Sequence, residues 1–293
     1  MKLATIKNDG RETVVELDLA AGVAWPLMAA DQNPIPSLLK LLMDSVEGRA
    51  SALRASHSIA LTQLIFAAPI PRPTRNIFCV GKNYFEHAKE FARSGYDTSA
   101  KNKDDAVPEF PIIFSKVPEC VIADGEDIRY PLGLSDSVDY EAELAVVIGK
   151  GGRGIAKADA MSHVWGYTII NDVTARDLQS RHRQWLIGKS LDTFGPMGPI
   201  LVTADEVDPL DMGIRCWVNG ELRQESNTRD LIFDIPTLIE SLSAGITLQP
   251  GDIIATGTPA GVGIGFNPPK FLKPGDQVTV EIDGIGKLTN HIR

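Results

Sequence analysis

Glu141 and Glu143 lie two apart in DYEAELAVVIGK, at the head of a run in which positions 142 and 144–148 are all Val, Ile, Leu or Ala. An apolar run without polar alternation predicts a strand buried on both faces. Side chains at i and i+2 of a strand project to one face, so both carboxylates converge on one small volume. Two buried like charges need a counter-charge; otherwise desolvation and repulsion protonate at least one, and a divalent cation is the usual remedy. A third carboxylate, Asp172, closes the apolar strand in GYTIINDVTARDLQSR, where it can equally cap the helix that follows, expected to start near Thr174. Three carboxylates suit a hard cation, and no Cys/His set suggests zinc. Mg²⁺ is the first choice, with Mn²⁺ and Ca²⁺ open.

GKNYFEHAKE places His87 and Glu90 three apart. On one helical turn the carboxylate can orient the imidazole and raise its basicity, the layout of a general base; the same spacing also arises on an ordinary solvated helix. Arg176 and Gln179 share a helix face with Asp172, so metal, cation and amide can meet one carboxylate-bearing ligand. Lys189 sits in the apolar, Gly-flanked run WLIGKSLDTFGPMGP, where an unpaired ammonium is costly, so it is expected to face the acids; a solvated loop position is the alternative. ATGTPAGVGIG, residues 255–265, is Gly-rich but has neither GxxxxGK[ST] nor GxGxxG spacing ahead of a helix, which argues against nucleotides. It reads as a close-approach loop in which Thr258 can donate to a small anion, or simply as a turn.

The elements that must position these groups are mostly short strands: NIFCV, PIIFS, the 140s strand, GYTIIN, GPILV, IRCWVNG, PGDIIATG and PGDQVTVEIDGIGKL, the last with a hairpin signal at Asp283–Gly284. DIPTLIESLSAG reads as a helix with Asp234 as N-cap, Pro236 in the first turn and Gly245 as its stop. Without regular βαβ alternation, the order predicts a mixed-sheet α+β fold. Residues 1–70 form a small leading unit, with a hairpin over 1–18 and a helix beginning at Leu38; PIPRPT stiffens the passage into a catalytic unit, 71–293. Residues 91–108 have no periodicity and read as a long mobile loop, a lid or a tolerated insertion. With 29 basic against 38 acidic residues the net charge is −9, which argues against nucleic acid or anionic membrane as partner. Three cysteines without CxxC spacing, no leader-like start and no membrane-length apolar run point to a cytoplasmic protein.

Taken in order, GKNYFEHAKE, DYEAELAVVIGK, NDVTARDLQ, GKSLDTFGPMGP, NTRDLIFDI and ATGTPAGVG resemble the fumarylacetoacetate hydrolase superfamily over roughly 74–293. The resemblance implies a mixed β-sheet roll around a divalent metal, usually Mg²⁺, in a homodimer acting on short 2-oxo or 2,4-dioxo acids. Metal ligands then fall on Glu141, Glu143 and Asp172, the catalytic pair on His87 and Glu90, and substrate contacts on Arg176, Gln179, Lys189 and Thr258. Leu191 departs from the motif, which often has an aromatic residue there, and bears on packing near Lys189.

The leading expectation is hydrolysis of a C–C bond in an acylpyruvate-type 2,4-dioxo acid. The metal holds the 2-oxo carboxylate end, Lys189 faces the developing charge, and His87, oriented by Glu90, activates water for attack at C4. Closure of the 91–108 loop would exclude bulk water. Rival readings are decarboxylation of oxaloacetate, isomerisation or hydration of an unsaturated 2-oxo acid, and, in another class, a non-catalytic partner-binding protein stapled by its metal.

Overall fold

The computed structural model describes residues 1–8, 10–46, 52–96 and 106–293. The apolar run after Glu141 forms the strand Ala142–Ile148, buried at every position. Leu144, Val146 and Ile148 enter one hydrophobic cluster with Tyr167, Ile214 and Leu238, whereas Ala145 and Val147 enter a second with Leu3, Ile77 and Leu201. A strand covered on both faces has no solvent side on which polar residues could alternate. Glu141 and Glu143 continue the row of Ala145 and Val147.

Val164–Asn171 runs antiparallel along one side of this strand, with Asn171 opposite Ala142. Ile253–Ala255 runs antiparallel along the other, with Ala255 opposite Ala145. Ile77–Gly81 joins parallel to Ile253–Ala255, and Ile112–Lys116 follows antiparallel. The register gathers the head of the central strand and the carboxyl ends of Val164–Asn171, Ile253–Ala255 and Ile77–Gly81. Loops leaving these ends carry the chemistry-bearing residues. The sheet is mixed and the helices few, so the α+β expectation holds.

The leading hairpin pairs Lys2–Asn8 with Arg11–Asp18, its turn residue Asp9 lying outside the described residues. Lys2–Asn8 then pairs with Gly195–Thr203, itself paired with Val164–Asn171, so the leading strands extend the same twelve-stranded sheet. A second, five-stranded sheet contains Gly213–Val218, Glu221–Asn227, Gln277–Ile282, Gly286–Ile292 and Asp127–Ile128. Its Ile214, Val280 and Leu288 pack into the cluster under the central strand. The Ile235–Ser243 helix is capped as expected, Asp234 accepting from the Thr237 amide at 2.9 Å. Among the described residues no helix is long and apolar enough to cross a membrane.

Two local expectations change. The helix after Asp172 spans Arg176–His182, with Ala175 at the cap position, because Thr174–Ala175 first pairs as a short strand with Val138–Asp139. Asp172 is therefore not its cap. Phe91–Arg93 is helical, held by Phe91 packing edge-on against Trp185. Residues 97–105 of the expected lid lie outside the described residues, and so does the call of its closure. The polar segment Glu221–Asn227 is an edge strand without an apolar face to announce it. Because Leu144 is fully buried within the main cluster, Leu144→Ala should cost about 2–5 kcal/mol, read as a lowered denaturant midpoint with an unchanged slope.

Candidate active site and metal centre

Glu141, Glu143 and Asp172 are all buried and offer oxygens within 4.8 Å of one another. Lys189 Nζ donates to Glu141 Oε2 at 2.6 Å and to Asp172 Oδ2 at 2.7 Å. Arg176 Nη1 meets Glu141 Oε1 at 2.7 Å, and Lys116 Nζ meets Asp172 Oδ1 at 2.7 Å. Burial alone would raise the Glu141 carboxyl, but Lys189 and Arg176 outweigh it and hold the group at about 2. Glu143 behaves oppositely. It accepts from the Gly257 amide at 2.8 Å but forms no ion pair among the described residues. Burial, with Asp172 and Glu141 beside it, pushes its carboxyl well above the usual range. Protein cations thus balance two of the three acids, and an added positive charge gains most at the third. The all-carboxylate donor set can hold a divalent metal, and its hardness fits Mg²⁺ chemistry.

His87 and Glu90 face each other on the Phe85–Arg93 helix, with His87 Nδ1 3.2 Å from Glu90 Oε2. Their side chains are only 5% and 16% exposed, so the pair is not a solvated helix face. The Gly261 amide fixes Glu90 from behind, at 3.0 Å to Oε1 and 3.2 Å to Oε2. The same loop directs the Gly257 amide at Glu143, and its Gly263 and Ile264 amides bind Asp139 at 2.6 and 3.1 Å. The Gly-rich stretch is thus an anion loop for the protein's own carboxylates. Gly257 has φ +106°, and a Cβ there would strike the side chain of Asn83. Asn83 in turn donates to the Thr256 carbonyl at 2.8 Å, tying the GKNY turn to this loop.

His87, Glu141 and Glu143 line one cavity of about 10 Å³ together with Arg176, Gln179, Lys189 and Thr258. That volume holds roughly one water, so a larger ligand enters only as side chains rearrange. Asp172 and Glu90 stand behind the lining and reach it through Lys189 and His87. Phe91, Phe114 and Trp185 form an apolar wall, with Lys189 Nζ 4.9 Å from the Phe114 ring centroid. Thr258 Oγ1 accepts from Gln224 Nε2 at 2.7 Å, which leaves its own hydrogen for a ligand. Arg176 Nε is bound to Asp139 Oδ2 at 2.9 Å and Nη1 to Gln179 and Glu141, whereas buried Nη2 has no hydrogen-bond partner among the described residues. Leu191, expected to bear on packing near Lys189, is partly buried against the main core.

Sequence reasoning missed Lys116, Asp139, Gln224 and Lys82, the last of which also lines the cavity. Lys116 ends the apolar strand IIFSK, and that setting of an ammonium in an apolar run is the signal that singled out Lys189. Asp139 lies in the same alternating row as Glu141 and Glu143. Gln224 sits in a polar edge strand, and Lys82 in a turn, where nothing in the sequence distinguishes them.

The unequal pairing of the acids separates their substitutions. Glu143→Gln should abolish Mg²⁺ binding in calorimetric titration while leaving the thermal midpoint of the metal-free protein unchanged or raised, because no buried cation loses a partner. Asp172→Asn should also weaken metal binding but cost roughly 3–5 kcal/mol, since Lys116 and Lys189 lose an ionic partner. Tight Mg²⁺ binding by both variants would remove these residues from the metal site.

The fold recurs in known proteins. The family model for the fumarylacetoacetate (FAA) hydrolase C-terminal region matches residues 76–293. The oxaloacetate tautomerase YisK of Bacillus subtilis is 50% identical over 238 residues, covering 81% of this chain and 76% of the relative. Human mitochondrial oxaloacetate tautomerase FAHD2A is 41% identical over 266 residues, 88% of this chain and 80% of its own. Among solved structures, a fumarylacetoacetate hydrolase from psychrophilic Exiguobacterium antarcticum superposes with a TM-score of 0.81 at 38% identity, covering 100% of this chain and 99% of the other. The chain belongs to the fumarylacetoacetate hydrolase superfamily.

Proposed function

We propose that this protein is a metal-dependent oxaloacetate tautomerase, interconverting the keto and enol forms of a short 2-oxo dicarboxylic acid. The observation that carries this reading is a buried base, His87, lining the same cavity as the acidic centre, in a chain 50% identical to a protein named for that activity. It shifts the leading expectation from C–C hydrolysis to the isomerase branch.

Glu141, Glu143 and Asp172 would hold the divalent cation, with Mg²⁺ favoured and Mn²⁺ or Ca²⁺ as alternatives. Once bound, such an ion supplies Lewis acidity at the 2-oxo group and acidifies the neighbouring C3 hydrogen. Lys189, fixed by Glu141 and Asp172, faces the oxygen on which negative charge develops. With Nδ1 turned to Glu90, His87 uses Nε2 to take the proton from C3 and, as imidazolium, returns it to the 2-oxo oxygen. One bond to hydrogen breaks, one forms, and the enol results without loss of atoms. Arg176 Nη2, Gln179 and the Thr258 hydroxyl hold the carboxylate end. Glu90 acts by positioning His87. Assembly as a homodimer accompanies this reading.

A second reading keeps the same residues and lets His87 activate water against a 2,4-dioxo acid. It is favoured by the structural similarity to the Exiguobacterium fumarylacetoacetate hydrolase. Following the enol absorbance of oxaloacetate, and assaying pyruvate and CO₂ separately with oxaloacetate and acetylpyruvate, distinguishes tautomerisation from decarboxylation and hydrolysis. With Mg²⁺ bound, wild type should accelerate enol–keto exchange without releasing CO₂. His87→Ala should lower that rate roughly 10²- to 10⁴-fold at unchanged Mg²⁺ affinity, with a smaller loss in Glu90→Gln. Lys189→Met should retain the metal and lose turnover. Wild-type exchange rates in His87→Ala would sink the assignment of the base, and acetylpyruvate cleavage without tautomerisation would select the second reading.

A further inference from the structure

Each of the three acids proposed to hold the metal has one oxygen tied to a different protein donor. Glu143 Oε2 accepts from the Gly257 amide at 2.8 Å, Glu141 Oε1 meets Arg176 Nη1 at 2.7 Å, and Asp172 Oδ1 accepts from Lys116 Nζ at 2.7 Å. Lys116 is fully buried, and its ammonium also donates to the Val173 carbonyl at 3.1 Å and to the Lys189 carbonyl. Three buried acceptors use all three of its hydrogens, so it cannot withdraw from Oδ1 without leaving the others unsatisfied. Lys189, which donates to Oδ2, lines the cavity, whereas Lys116 stands behind it. Oδ2 is thus the cavity-side oxygen of Asp172 and Oδ1 the far one, held in place.

That restraint bears on the choice of ion. Ca²⁺ takes about six to eight oxygens in flexible geometry and readily uses both oxygens of a carboxylate, whereas Mg²⁺ demands a near-ideal octahedron and accepts single oxygens and waters. A cation chelated by both Asp172 oxygens would share Oδ1 with an ammonium that has nowhere else to go, and the two positive charges repel. We propose that Lys116 is a specificity-determining positioning residue: by holding Oδ1 it presents Asp172 as a single-oxygen ligand and makes the centre select Mg²⁺ over Ca²⁺. This rests on the assignment of the three acids to a metal, but ion binding tests it without turnover.

The test titrates the metal-free protein separately with Mg²⁺ and with Ca²⁺ by calorimetry, after circular dichroism has checked folding. Wild type should bind Mg²⁺ roughly 10-fold more tightly than Ca²⁺, and Lys116→Met, which removes the donor, should erase most of that preference. Deleting a positive charge strengthens the binding of both ions, so the ratio, and not either affinity alone, isolates the effect of holding Oδ1. A second readout needs no variant and therefore stands even where Lys116→Met does not fold. In infrared difference spectra of wild type with isotope-labelled aspartate carboxyls, Ca²⁺ should produce the wide splitting of carboxylate stretches that marks a single-oxygen ligand. Ca²⁺ binding by wild type as tight as that of Mg²⁺, an unchanged ratio in folded Lys116→Met, or the narrow splitting of a chelating aspartate overturns the inference. Binding of neither ion by wild type removes the metal assignment and the inference together. If the ratio behaves as expected while enol–keto exchange is absent, Lys116 stands and the tautomerase reading falls.

Discussion

Compensation of buried negative charge is the constraint on which this molecule turns. Asp139, Glu141, Glu143 and Asp172 all lie under the protein surface, where each isolated carboxylate would be driven to protonate. Arg176, Lys116 and Lys189 answer three of them with pairs between 2.6 and 2.9 Å. Pairs of this kind contribute little net stability, because desolvation of both ions offsets their attraction. They specify an arrangement instead: the strand, the turn after Val164–Asn171 and the short Leu186–Lys189 helix must meet in one register for any charge to be tolerated. The incomplete answer at Glu143 leaves the cluster able to hold a cation as well as acting as a structural knot.

The Gly-rich loop is the second organiser. Its amides reach Glu143, Glu90 and Asp139, carboxylates on three different segments with three different tasks. A loop that donates backbone hydrogens can approach a carboxylate more closely than one burdened with side chains, and Gly257 has to adopt a positive φ to do so. Through this loop the proposed metal acid and the proposed base are held by one piece of backbone. Asn83 extends the coupling, joining the turn that precedes the His87 helix to the Thr256 carbonyl and to Phe233. Hydrogen bonds between backbone and the side chains of Glu143, Glu90 and Asn83 thus tie the His87 helix to the acidic centre.

Apolar packing supplies the rigidity behind both. The central strand lies between two clusters, and the aromatic group of Phe91, Trp185 and Phe114 closes the cavity on the side of the His87 helix. Lys189 and Arg176 lie over the rings of Phe114 and Phe91, so the two cations nearest the proposed substrate are shielded from water. Shielding strengthens their attraction for a developing charge, as an electrostatic site requires.

Much of this was legible from residue order alone. Period-two spacing put Glu141 and Glu143 on one face, and the unbroken apolar run marked the strand as buried, because alternation is a local property of the chain. The cost of an unpaired ammonium in an apolar run pointed Lys189 toward the acids, and Asp234 announced its helix by its type and place. The His87–Glu90 spacing was equally local, but whether that turn faced solvent or a cavity was not; only the packing of Phe91 against Trp185 decided it. Lys116 reaches Asp172 across 56 residues and Gln224 reaches Thr258 across 34, and no spacing rule connects partners so far apart. Asp172 was ambiguous between helix cap and site residue until the pairing of Thr174–Ala175 with Val138–Asp139 moved the helix start beyond its reach. Local chemistry is written in neighbouring residues, whereas the balance of buried charge depends on which distant segments the sheet register brings together.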